Sequence, residues 1–149
     1  MATLKQILDE KGHEIFSVSP KITVYEALQL MAEKGIGAVP VFESNKLVGI
    51  MSERDYARKI VLKEKTSKNS LVEDIMSKDV IYVESNRTDE ECLALMVNKR
   101  VRHLPVCEGE DIIGFISIGD IVKAVIESKQ FVIEQLINYI HDKPIIKKD

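Results

Sequence analysis

Phe115-Ile116-Ser117-Ile118-Gly119-Asp120 reads as an apolar strand running into a helix, and 65 residues earlier Ile50-Met51-Ser52-Glu53-Arg54-Asp55 reads the same way. Both stretches place a serine where the strand stops and an aspartate three residues on. A hydroxyl, a carboxylate and the free N–H groups of a helix N-terminus converge there, an arrangement suited to a phosphorylated ligand.

Working outward, a shift of 65 aligns Val18–Ile60 with Val83–Val125 without a gap. Thr23 falls on Thr88, Glu26 on Glu91, Met31 on Met96, Pro40-Val41 on Pro105-Val106, Gly49 on Gly114, Ser52 on Ser117 and Asp55 on Asp120. Such repetition means two copies of one supersecondary unit, each needing a neighbour to bury its apolar face.

In copy one, Glu14–Val18 is expected as a strand, and Thr23 with Glu26 forms a capping box opening a helix that Gly35 ends. Val39–Phe42 and Leu47–Met51 flank a turn at residues 43–46, and a helix follows from Ser52 to about Lys63. Copy two repeats the order: strand Val80–Val83, a helix from Thr88 to about Arg100, strands Leu104–Cys107 and Ile112–Ile116, and a helix from Asp120. Short amphipathic stretches, Leu4–Leu8 and Val72–Met76, precede the copies, and Lys63–Ser70 is the expected linker. The pattern predicts a mixed α/β (α+β) fold divided into residues 1–65 and 66–149. Beyond Asp120 an apolar stripe of Val122, Val125, Val132, Leu136 and Ile140 continues to an expected end at Pro144. That face must cover either its own chain or a second subunit.

At 149 residues the chain buries a core without staples. Cys92 and Cys107 lack CxxC spacing, which suits a reducing compartment, and the cytoplasm is expected. No apolar run approaches the length of a membrane span. A net charge of −3, no Trp and few other aromatics argue against nucleic acid as a partner. No nucleophile elbow, phosphate-binding GxxxxGK[ST] or HExxH occurs, and His103, Cys107, His13 and His141 lack metal-ligand spacing, so neither catalysis nor a metal is expected.

The duplicated strand-helix-strand-strand-helix unit, each copy ending in an apolar strand, Ser-x-x-Asp and a helix, resembles the CBS domain over nearly the whole chain. Ser52-Glu-Arg-Asp-Tyr-Ala-Arg58, Arg100-Val-Arg-His-Leu-Pro-Val106 and Ser117-Ile-Gly-Asp-Ile-Val122 are similar to small stand-alone proteins made of one CBS pair. The resemblance implies two repeats packed sheet to sheet about a pseudo-twofold axis, with two clefts that bind AMP, ADP, ATP, NAD or S-adenosylmethionine. It also implies a homodimer, no required cofactor, and a regulatory, energy-sensing role transmitted to an unknown partner protein. A structural adaptor with vestigial clefts is the alternative.

On the same resemblance, Asp120 accepts hydrogen bonds from ribose hydroxyls and Ser117 faces phosphate, whereas the residues alone fit an N-cap and a favourable first-turn acid equally well. Arg102 and His103 reach phosphates, His103 only when protonated, below about pH 6.5. In copy one Gly37 and Ala38 stand in their places, and Arg54 and Arg58, one helical turn apart beyond Ser52, either supply phosphate contacts beside Asp55 or pair with nearby acids. Ile22 and Val39-Pro40 in copy one, and Leu104-Pro105 in copy two, are the expected adenine walls, with Arg87 replacing Ile22 in copy two. The clefts should differ in affinity, the stronger one being that of Asp120.

Overall fold

The computed structural model describes the backbone of residues 1–146 and the side chains of residues 1–140; the side chains of His141 and Pro144 and the tail residues 147–149 lie outside the described residues. Copy one comprises α1 (Leu4–Lys11), α2 (Val24–Lys34), β1 (Ala38–Glu43), β2 (Lys46–Ser52) and α3 (Glu53–Lys59). After α4 (Val72–Ile75), copy two comprises β3 (Val83–Glu84), α5 (Asp89–Lys99), β4 (His103–Glu108), β5 (Asp111–Ser117) and α6 (Ile118–Ile146).

Local signals act alike in both copies. Thr23 and Thr88 accept from the backbone N–H groups of Glu26 and Glu91, whose carboxylates accept in return, so both predicted capping boxes form. β1 and β2 pair antiparallel from Ala38↔Ser52 to Glu43↔Lys46, with a register shift after Val41. β4 and β5 repeat this from His103↔Ser117 to Glu108↔Asp111, with the shift after Val106.

Four elements are shorter or longer than expected. The strand at Glu14–Val18 shrinks to Val18, which bridges Val41 by donating to Pro40 O (3.1 Å) and accepting from Phe42 N (2.9 Å). Its copy-two counterpart is two residues, Val83–Glu84, parallel to β4. Only Val18 and Val83 in these segments are buried, with Ile81 packed at the edge of a core, so burial supports no longer strand. α3 stops at Lys59, and a 3₁₀ turn at Val61–Lys63 follows, because Ile60 is drawn wholly into the core. α6 continues past Pro144 to Ile146. No helix among the described residues is long and apolar enough to cross a membrane.

The cores cross the division at residue 65. Leu4, Ile7 and Leu8 of α1 pack with Val83, Cys92, Met96, Leu104, Val106, Ile116 and Ile121 of copy two. Val72 and Ile75 of α4 pack with Val24, Met31, Val39, Val41, Met51 and Ile60 of copy one. Each short helix thus completes the other copy's core. Matching main-chain bonds tie them there: Leu4 N–H donates to Arg87 O and Asp89 N–H to Ala2 O, as Val72 N–H donates to Ile22 O and Val24 N–H to Ser70 O. Each helix also needs a glycine beneath it, since a Cβ on Gly114 would lie 2.5 Å from Leu8 and one on Gly49 would lie 2.6 Å from Met76 Sδ.

Candidate functional site: a cleft between the repeats

The hairpin and helix ends of the two copies face one another across a cleft of about 520 Å³. Its apolar lining is Ala38, Ile50, Val80, Ile81, Val101 and Leu104; its charged lining is Arg54, Arg58, Arg100 and Arg102 against Glu53, Asp55 and Asp79. Arg54 and Arg58 stand on α3, while Arg100 and Arg102 flank Val101 in the link between α5 and β4. Among the described residues none of these four guanidiniums has an ion-pair or side-chain hydrogen-bond partner, so the expected alternative, pairing of Arg54 or Arg58 with Glu53 or Asp55, is not what forms.

Arg100 carries a further mark. It sits at φ 56°, in the left-handed region, where copy one has Gly35 at φ 65°. A left-handed non-glycine residue costs about 1–2 kcal/mol, and the chain bears that cost at a residue lining the cleft. The strained position is one that no sequence pattern singled out, although its place opposite Gly35 in the repeat was visible.

Asp55 and Ser52 form a capping box: Asp55 N–H donates to Ser52 Oγ (3.1 Å), and Asp55 Oδ2 accepts from Ser52 N (2.9 Å) and Ser52 Oγ (3.0 Å). Lys59, one turn on along α3, meets Asp55 Oδ1 at 3.2 Å and Ile75 O at 2.7 Å. A carboxylate offers about four acceptor directions, so one remains, and rotation of the Ser52 hydroxyl frees another.

Arg102, His103 and Leu104 therefore share a cleft with Ser52, Arg54, Asp55 and Arg58 of copy one, rather than with Ser117 and Asp120, which do not line it. Sequence proximity had grouped them by copy; the packing groups them across copies. Ser117 and Asp120 form the equivalent capping box, with Asp120 N–H donating to Ser117 Oγ at 3.2 Å and Ser117 N–H to Asp120 Oδ2 at 2.9 Å. Of the expected adenine walls only Leu104 lines the cleft. Val39 is fully buried in the core of copy one and Ile22 packs against that core. Pro40 and Pro105 are buried within their strands, and the Pro40 carbonyl accepts from Val18 N–H. Arg87 pairs with Glu91 at 3.2 Å.

His103 stacks on Phe115 with ring centroids 5.7 Å apart. Burial, then the Lys11 ammonium, and to a lesser degree the Arg102 guanidinium hold its pKa below the usual histidine range, against an upward pull from Asp120. It is neutral at pH 7. Any charge it lends a ligand therefore arrives at lower pH than the 6.5 expected from sequence. Since the unfolded chain protonates His103 at about pH 6.5 and the folded chain resists, this group's contribution to stability is complete above that pH and falls as acidification proceeds toward the folded-state pKa.

The model of the CBS domain matches residues 5–62 and 72–127. The mitochondrial CBS domain-containing protein CBSX3 of Arabidopsis thaliana is 37% identical over 123 residues, 79% of this chain, which spans 60% of that protein's length. A CBS-domain protein from Burkholderia ambifaria is 50% identical with a TM-score of 0.82, over 85% of this chain and 95% of that one. A CBS-domain pair solved with 5′-methylthioadenosine and S-adenosylmethionine shares the fold at 22% identity, with a TM-score of 0.74, over 86% of this chain and 98% of that one. With its two matched repeats, swapped short helices and inter-repeat cleft, the chain belongs to the CBS-domain family.

Proposed function

We propose that this protein is a regulatory module, not an enzyme, in which the two repeats act as one unit that binds an adenosine-containing ligand in the inter-repeat cleft and passes the binding state to a partner protein. The four arginines, without an ion-pair partner among the described residues and set beside an apolar floor, carry this reading. Guanidiniums that share the cleft with carboxylates but form no ion pair with them can bind a phosphate without an existing pair having to break. Leu104, Ile50 and Val101 give a base an apolar wall, and Asp55 is the acceptor for ribose hydroxyls. The cleft is lined from both repeats, so a ligand bridges them and shifts any equilibrium in their relative packing by its difference in affinity between states. Free Cys107 and free, buried Cys92, whose thiol burial pushes up to about 11, accord with the cytoplasm or another reducing compartment.

The test is calorimetric titration of the purified protein with AMP, ADP, ATP, NAD, S-adenosylmethionine and adenosine. Saturable binding by at least one phosphorylated or sulfonium ligand supports the module. Absence of binding by all of them transfers the function to the adaptor alternative.

A homodimer through α6 completes this reading. From Lys129 to Ile140 every residue of the helix is exposed, and Val122, Ile126, Val132, Ile133, Leu136, Ile137 and Ile140 form one apolar stripe. Their exposed area is on the order of 650 Å², somewhat less than the roughly 800 Å² that one partner of a standard interface buries. Glu127 and Glu134 lie away from the stripe, leaving it free of acidic groups, and Lys129 within it is paired with Glu90 of α5 at 2.9 Å. A second copy presents the same stripe, and two such helices bury each other. Leu136→Asp is expected to shift the protein from dimer to monomer in sedimentation velocity at micromolar concentration, with its helical circular dichroism retained.

A further inference from the structure

The two halves of the duplication differ by three residues at one place. Leu8 and Met76 occupy matching positions over Gly114 and Gly49. From there Val18 follows Leu8 by ten positions, whereas Val83 follows Met76 by seven. Copy one uses the surplus to extend α1 to eight residues against four in α4, and the added turn ends in Lys11. Asp9 and His13 fix that end, His13 Nε2 lying 2.7 Å from Asp9 Oδ1 and His13 Nδ1 3.0 Å from Ile113 O.

The substitution this produces is chemical as well as steric. After α4 the main chain of Ser77 pairs with Ile50, its N–H donating to Ile50 O at 2.8 Å and its carbonyl accepting from Ile50 N–H at 3.0 Å. After α1 the Lys11 ammonium takes the corresponding carbonyl, donating to Phe115 O at 2.8 Å, and also reaches Asp120 Oδ2 at 2.6 Å. Phe115 and Asp120 are the counterparts of Ile50 and Asp55, both of which line the open cleft. Lys11 therefore arrives from the side on which a ligand would lie. Asp55 has a lysine too, but Lys59 approaches its other oxygen from the same helix and does not line the cleft.

We propose that Lys11 is a built-in occupant of the second cleft, holding the carboxylate that a ribose would need, so that each chain takes one adenosyl ligand, at Asp55, instead of two. This rests on the adenosyl reading above. Burial alone would raise the Asp120 pKa, but the Lys11 bond, the Ser117 N–H and the nearby ammonium charge together hold it below the usual range, so the carboxylate is ionised across neutral pH. A diol reaching Asp120 from the cleft side meets the Lys11 ammonium on Oδ2, whereas the matching Oδ2 of Asp55 is engaged only by Ser52 and its lysine stands on Oδ1.

The test is binding stoichiometry, with ADP and in parallel with S-adenosylmethionine, for wild type, Lys11→Met, Lys11→Arg and Lys11→Met/Asp120→Ala. One site per chain is expected in wild type and in Lys11→Arg, two in Lys11→Met, and one again in the double variant. Two sites in wild type, or one in Lys11→Met while wild type also binds one, overturns the proposal and leaves the adenosyl reading standing. Binding by Lys11→Met alone, abolished by Asp120→Ala, keeps Lys11 as the occupant but overturns Asp55 as the working site. Binding by neither protein overturns both.

Discussion

Arg58→Ala/Arg102→Ala is expected to bind ADP about 100-fold more weakly than wild type while binding adenosine with unchanged affinity. The two guanidiniums come from different repeats, line the same cleft and have no side-chain partner among the described residues. Each hydrogen bond from a charged group to phosphate contributes about 1.5–3 kcal/mol. Both arginines are exposed, so solvent screening places them at the low end, and two such losses amount to about 3 kcal/mol, or two factors of ten in affinity. Adenosine has no phosphate and should not register the change. Parallel titrations of ADP and adenosine check this, and the ADP difference should narrow as salt rises because exposed charges are screened. An equal loss for both ligands would place the arginines in structural support of the cleft, and no loss would remove the phosphate from it.

Leu8→Ala should lower the unfolding free energy by about 3 kcal/mol, within the range for large-to-small changes at fully buried sites. Leu8 is wholly inaccessible and sits directly on Gly114, whose missing side chain makes the room for it. Because α1 belongs to the core of the copy it does not precede, the lost packing loosens the link between repeats as well as the local core. Urea denaturation followed by circular dichroism measures the effect. Adding Gly114→Ala to Leu8→Ala should recover part of the loss, since the new methyl occupies the vacated space, whereas Gly114→Ala alone overpacks the site and destabilises by about 1–3 kcal/mol.

These two results bear on different levels of the molecule. The duplication, the order of elements, the capping boxes at Thr23, Ser52, Thr88 and Ser117, and the hairpins at 38–52 and 103–117 were all legible in the chain, because each rests on torsional preference, hydrophobic period or a hydrogen bond spanning three or four residues. The serine-aspartate motif and the basic residues Arg54, Arg58, Arg102 and His103 were legible as chemistry for the same reason.

Which of these groups meet was decided only by tertiary packing. Nothing local distinguishes a cleft made of Arg102 and Asp120 from one made of Arg102 and Asp55; the distinction lies in how two hairpins pack across the axis of the repeat. Val39 and Pro40 looked available for a base and are instead consumed by core and ladder, since burial depends on what lands on a strand and not on the strand's own pattern. Lys11 gave no signal at all, being a lysine at a helix end 109 residues from the aspartate it pairs with. The sequence by itself determined a doubled α/β unit with an anion-binding chemistry, through interactions that close over a few residues. The tertiary structure alone decided which of these groups line one cleft, because contacts between distant residues follow from which faces the two copies bury against each other.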